Sequence, residues 1–253
     1  MSAAASASTM RGPLYRMVWW SLQLIDRTWF RVRVEGQHHV PRTGGVILAS
    51  NHQSFADPLL LGGSIWRRIH FLARDTLFSH RVFGAALRQV GAVPVKRGKA
   101  DRESLHTVVQ LARAGDVVCV FPEGTRTLDG SLSPLKKGIL LMARMAGVPV
   151  VPVGISGMHA LWPKDRKFPR SGRVRVAYGA PIPAADFEQP ATLELLADAL
   201  ALLARVPRRT GAAEPDEGPA VTPRPRAVLP ATRASSSSVP APAPAVGGRS
   251  PSP

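Results

Sequence analysis

The chain of 253 residues has a single cysteine, Cys119, which excludes an intramolecular disulfide framework and a cysteine-rich zinc site and suits a reducing compartment. Acidic residues are scarce: 17 Asp and Glu stand against 33 Lys and Arg, leaving a net charge of +16. A field of that sign attracts an anionic partner, and membrane phospholipid, nucleic acid, a nucleotide-bearing cofactor and an acidic carrier protein all qualify. The first ten residues, MSAAASASTM, carry no basic stretch ahead of an apolar run, so no secretory signal is read there. The first apolar stretch is broken by Arg16, Asp26 and Arg27, well short of the roughly 20 residues that a spanning helix needs. No Gly-x-Ser-x-Gly elbow occurs, which counts against a serine hydrolase, and no internal repeat or nucleic-acid module is recognisable.

What is present reads as one α/β domain. Short β-rich runs fall at 32–35, 46–50, 69–73, 93–95, 117–121, 150–155 and 173–178. Helical patterns fill 58–65, 81–89, 101–114, 135–146 and 192–205, with Gly115 and Gly147 at helix ends. The expected architecture is a single domain with a mixed β-sheet flanked by helices over 31–205, preceded by an amphipathic N-terminal helical segment over 13–30. Residues 1–12 are expected to be disordered. So is the tail over 206–253, whose Pro, Ala, Ser and Arg offer little for a core to bury.

In helical projection of the 13–30 segment, Arg16, Gln23 and Arg27 share one face and Leu14, Val18, Leu22, Ile25 and Trp29 the other. Such a helix either caps the domain's own core or lies in a membrane interface. The basic flanks and Trp19, Trp20 and Trp29 favour the interface.

Four segments follow strands, where open α/β sheets place their ligand sites. In Asn51-His52-Gln53-Ser54-Phe55-Ala56-Asp57-Pro58, positions five apart on a regular helix would diverge by about 140°, so a cooperating His52 and Asp57 straddle the strand-to-helix turn. Asp57 can then accept from one imidazole nitrogen and leave the other to take a proton from a bound hydroxyl. The alternative is structural: Asp57 as an N-cap ahead of Pro58, with Ser54 opening a capping box.

In Phe121-Pro122-Glu123-Gly124-Thr125-Arg126, Arg126 offers a planar fork that matches phosphate, and Glu123 orients Arg126 or accepts from a substrate hydroxyl. A surface turn with an intra-loop ion pair is the plainer alternative. Lys136 and Lys137 open the next helix, where cations oppose the dipole, so they suggest an anionic ligand or a solvated basic face. Gly91 to Arg97 is a short strand ending in two cations. Val148 to Val153 carries Pro149 and Pro152, which suggest a strand margin or the wall of a cleft.

In this order and spacing, the four segments resemble the lysophospholipid acyltransferase superfamily, in particular its bacterial 1-acylglycerol-3-phosphate acyltransferases, over roughly residues 31–180. NHQSFADP and FPEGTR stand almost as the family writes them, while the second block is looser around Val93-Pro94-Val95. The resemblance implies that His52 is the general base and Asp57 its orienter. Arg97, Glu123, Gly124, Thr125 and Arg126 then form the acceptor's phosphate and glycerol site, and Asn51, Ser54, Lys137 and Pro152 support the cleft. It implies transfer of an acyl group from acyl-CoA or acyl-carrier protein to a lysophospholipid hydroxyl, with neither metal nor other cofactor. The implied setting is peripheral, on the cytoplasmic face of the cell membrane, with no nucleic-acid partner. Other acceptors, such as a lyso-ornithine lipid or a glycolipid, stay open, as does a non-catalytic basic protein binding membranes or nucleic acid.

Overall fold

The computed structural model describes residues 13–79, 84–85, 87–88, 91–95 and 100–209. Residues 1–12, Arg97 and 210–253 therefore lie outside the described residues. Seven strands form one mixed sheet: β1 Val32–Glu35, β2 Val46–Ser50, β3 Ile69–Arg74, β4 Ala92–Val95, β5 Val117–Val120, β6 Val150–Ser156 and β7 Val174–Tyr178. Their order across the sheet is β1-β7-β6-β2-β5-β3-β4. All neighbouring pairs are parallel except β6 against β7.

The uninterrupted apolar composition of β2 fits a strand covered on both faces, and all five of its residues are buried. Its side chains alternate with period two. Val46 and Leu48 enter one core with Leu60, Leu61, Phe71, Val153 and Val176, whereas Ile47 and Ala49 enter the other. Helix α2 (Asp57–Ser64) covers the first core. Helices α3 (Ala100–Arg113), α4 (Gly138–Ala146) and α6 (Ala191–Ala204) cover the second, and the short α5 (Met158–Leu161) follows β6. Close approach of α6 to the sheet needs Gly154, since a Cβ there would lie 2.3 Å from the backbone at Leu203 and Ala204. Cys119 is a buried β5 residue, its thiol pushed up by burial and then by the nearby Asp57.

Several expectations are corrected. The helix expected from 135 begins at Gly138, with Lys137 at its N-cap. Pro152 sits within central β6 instead of at a margin. The sheet accommodates it where the β7 ladder ends: the Gly179 N–H donates to the Pro152 carbonyl at 2.8 Å, and proline has no N–H to return. The tail does not begin at 206. The Leu132 N–H donates to the Pro207 carbonyl, the Arg209 N–H donates to the Leu132 carbonyl, and Arg208 pairs with Glu194 and Asp198.

Helix α1 (Pro13–Thr28) packs against α2 with a polar face. Gln23 Nε2 donates to the Gly63 carbonyl, and Asp26 is only 8% exposed, while Met17, Trp20, Leu24, Ile25 and Trp29 face outward. Burial raises the Asp26 carboxyl to about 7. Of the apolar stripe, Ile25 and Trp29 are exposed, and the side chains of Leu14, Val18 and Leu22 lie outside the described ones. No helix of the described residues is long and apolar enough to cross a membrane.

Candidate active site

The site is built where β2 stops. Asn51 prolongs the β2–β6 ladder with its side chain, donating Nδ2–H to the Ile155 carbonyl at 2.9 Å and accepting the Ile155 N–H on Oδ1 at 2.7 Å. The chain then turns. Asp57, the first residue of α2, directs Oδ2 back into the turn, where it accepts the N–H groups of Gln53 at 2.6 Å and Ser54 at 2.8 Å. The same oxygen lies 2.9 Å from His52 Nδ1. A fully buried carboxylate is held by two backbone amides and by the positive end of a helix, and it selects the His52 tautomer with the proton on Nδ1. His52 Nε2 has no protein partner among the described residues, and 19% of the side chain is open to solvent. The ring is fixed from the side by Phe121, stacked at 4.0 Å between centroids and tilted by 19°.

Asp57 is therefore not the N-cap, which falls on Ala56, and Ser54 does not form a capping box. Its hydroxyl accepts the Ala56 N–H at 3.3 Å instead. Gln53, not singled out from sequence, is buried and accepts the His159 N–H at 3.2 Å, joining the turn to α5.

Glu123 departs furthest from expectation. It is buried, and its two oxygens are taken by backbone amides: Oε1 accepts the His52 N–H at 2.7 Å and Oε2 the Ser133 N–H at 2.8 Å. Burial raises its carboxyl, and the two amides oppose that shift. Among the described residues it makes no ion pair with Arg126 and is no surface residue. Its carboxylate clamps the loop after β5 to the turn after β2, and the Thr127 N–H completes the clamp by donating to the His52 carbonyl at 2.8 Å.

The clamp sets the turn that carries Arg126 beside the turn of His52. Gly124 and Thr125 are exposed, and the half-buried Arg126 has no side-chain hydrogen bond or ion pair among the described residues. Gly124 adopts φ 77°, and a Cβ there would meet Lys136 Nζ at 2.7 Å, so the Lys136 side chain lies over this turn. Lys136, more than the expected Lys137, is the lysine of the turn. Its neighbour is exposed at the N-cap of α4. Pro152 is buried beside Ala49 on β2, a wall residue of the sheet under the site.

A buried carboxylate holds an imidazole at the end of a central strand of this α/β fold, with Arg126 and Lys136 on the adjoining turn, an arrangement able to take a proton from a bound hydroxyl. The sequence model of the acyltransferase family matches residues 31–156, which contain every element of this arrangement before the end of β6. The chain belongs to that acyltransferase family. It is 30% identical over 167 residues to the 1-acyl-sn-glycerol-3-phosphate acyltransferase of Bacillus subtilis (strain 168), covering 66% of this chain and 81% of that protein. It is 32% identical over 169 residues to the chloroplastic 1-acyl-sn-glycerol-3-phosphate acyltransferase BAT2 of Brassica napus, covering 65% of this chain and 48% of the relative, about half the plant protein's length. The crystal structure of the 1-acyl-sn-glycerophosphate (LPA) acyltransferase PlsC from Thermotoga maritima is similar with a TM-score of 0.64 at 26% identity, covering 76% of this chain and 79% of that one.

Proposed function

We propose that this acyltransferase moves a fatty acyl group from acyl-CoA or acyl-carrier protein to the sn-2 hydroxyl of 1-acyl-sn-glycerol-3-phosphate, giving phosphatidic acid. The observation that carries the reading is the His52–Asp57 pair at 2.9 Å, with Nε2 unengaged beside the turn of Arg126 and Lys136. The names of the relatives from Bacillus subtilis and Brassica napus support the acceptor.

In the reaction His52 Nε2 takes the hydroxyl proton as the acceptor oxygen attacks the thioester carbonyl. The tetrahedral intermediate collapses, the C–S bond breaks, and the proton returns from Nε2 to the departing thiolate, releasing a free thiol. Asp57 keeps the ring oriented and stabilises the transient imidazolium, as in a hydrolase triad whose nucleophile is replaced by the substrate's alcohol. Arg126, with Lys136 and Arg97, meets the acceptor phosphate. Thr125 and the exposed Gly124 border the glycerol, while Asn51, Ser54 and Pro152 support the cleft and Lys137 adds positive field. Glu123 acts through the backbone it holds. No metal or other cofactor enters this scheme.

The enzyme works on the cytoplasmic face of the cell membrane as a peripheral protein, resting on α1. Support comes from the described side chains of that helix, Gln23 and Asp26 toward the domain and Met17, Leu24 and Ile25 outward, and from the +16 charge, which favours an anionic surface.

The test is acylation of 1-acyl-sn-glycerol-3-phosphate in mixed micelles, with acyl-CoA and acyl-carrier protein offered separately. His52→Ala should lower kcat by at least about 10²- to 10⁴-fold with the fold intact. Faster acylation of a phosphate-free lysolipid would reassign the acceptor, and full activity of His52→Ala would end the proposed role of the base.

A further inference from the structure

Segment 162–173, which leads from α5 into β7, reads WPKDRKFPRSGR and carries five cations against one acid. It is a closed, internally bonded loop: the Arg170 N–H donates to the Leu161 carbonyl at 3.0 Å, and Trp162 Nε1–H donates to the Arg166 carbonyl at 3.0 Å. At its outer side Phe168 is 70% exposed, with Lys167 Nζ 5.5 Å from the ring centroid. A lone exposed phenylalanine is ordinary on a protein surface. This one is not placed at random. The Gly172 N–H donates to the Trp29 carbonyl at 3.1 Å and the Val174 N–H to the Phe30 carbonyl at 3.1 Å, so the loop is stitched to the end of α1 beside the exposed Trp29. At its other root Trp162 meets Phe55 of the catalytic turn edge-on at 6.4 Å between centroids, and the adjoining α5 is held by Gln53.

We propose that the 162–173 loop is a second docking surface for an anionic lipid bilayer, with Phe168 entering the interface and Lys164, Lys167, Arg170 and Arg173 meeting lipid headgroups. The proposal rests on the reading of α1 as a membrane-resting helix and extends it to a two-point contact. One point is apolar and indifferent to lipid charge. The other is cationic and selects it. An aromatic tip ringed by basic side chains matches the chemistry of a bilayer interface, where the ring sits at headgroup depth and each cation near an anionic surface contributes favourably. Because the loop is rooted at the catalytic turn, seating it on the membrane brings His52 to the plane in which a lysolipid acceptor resides.

The experiment is flotation of the full chain with vesicles of phosphatidylcholine alone or with phosphatidylglycerol added, comparing wild type, Phe168→Ala, Lys167→Ala/Arg170→Ala and Leu24→Glu. Each removed cation should weaken binding to the anionic vesicles about 5-fold, corresponding to about 1 kcal/mol per charge. Binding to the neutral vesicles should change little for the double variant, and turnover in detergent micelles should be unaltered. Phe168→Ala should weaken binding to both vesicle types. If the loop variants bind both vesicles like wild type while Leu24→Glu does not, the loop proposal is overturned and the α1 reading stands. If wild type binds neither vesicle, both fall. Unchanged vesicle binding with a raised KM for acyl-CoA or acyl-carrier protein would reassign the surface to the donor and overturn the lipid proposal.

Discussion

The turn after β2 and helix α1 treat polarity in opposite ways. In the turn, Asn51, Gln53, Ser54 and Asp57 are all buried, and each finds backbone partners that the fold supplies. In α1, Gln23 and Asp26 also face inward, but Asp26 makes no hydrogen bond or ion pair among the described residues, and Met17, Leu24 and Ile25 face out. Burial of a polar group is cheap where a donor is aimed at it and expensive where none is. The turn is therefore held through Asp57 Oδ2, while Asp57 Oδ1 is buried without a partner among the described residues. Helix α1 has fewer such bonds to the domain among the described residues.

Breaking the bonded turn should have the largest effect. Glu123→Ala strips the acceptor from the buried N–H groups of His52 and Ser133, each worth about 1–3 kcal/mol when orphaned. Urea unfolding should show a loss of about 2–5 kcal/mol, with turnover collapsing as His52 loses its backbone anchor, and Glu123→Gln should lose less because one oxygen acceptor remains. An unchanged midpoint would mean that the clamp is dispensable.

The contrast predicts a different outcome on α1. Changing Met17, Leu24 and Ile25 together to Ser removes outward apolar surface, so stability should stay within about 0.5 kcal/mol per site. Vesicle binding, measured by flotation, should fall at least about 100-fold, given about 1.5–3 kcal/mol for each buried apolar side chain. A large fall in Tm without vesicles would show that this face packs on the protein.

The smallest effect sharpens the comparison at Asp26. Its folded value of about 7 lies above the ordinary 3.8, so the stability it contributes is complete below about pH 4 and is lost as pH rises to about 7. Asp26→Asn cannot ionise. Its Tm should exceed that of wild type by a few degrees, on the order of 1–2 kcal/mol, above pH 7, and the gap should close toward pH 4. A gap independent of pH would show that the carboxyl is not desolvated.

Much of this was legible from local pattern. β2 announced itself as an apolar run without alternation, and the His52–Asp57 spacing pointed to a turn because a helix would have set the two apart. Lys136 was visible, but nothing nearby in sequence told which of the two lysines would lie over Gly124. Glu123 was misread for a plainer reason. Its partners are amides at His52 and Ser133, one of them 71 residues away, and a backbone N–H leaves no trace in residue identity.

Local sequence by itself determined the strands, the helices, the basic field and the residue pair able to move a proton, because these depend on periodicity, charge and short spacing. Tertiary structure alone decided which face of α1 turns inward, how Pro152 fits a central strand, and that Glu123 is a clamp. Amphipathic periodicity establishes that two faces differ without saying which medium each will meet. That choice belongs to the surface already built by α2 and its neighbours, where the Gly63 carbonyl accepts from Gln23.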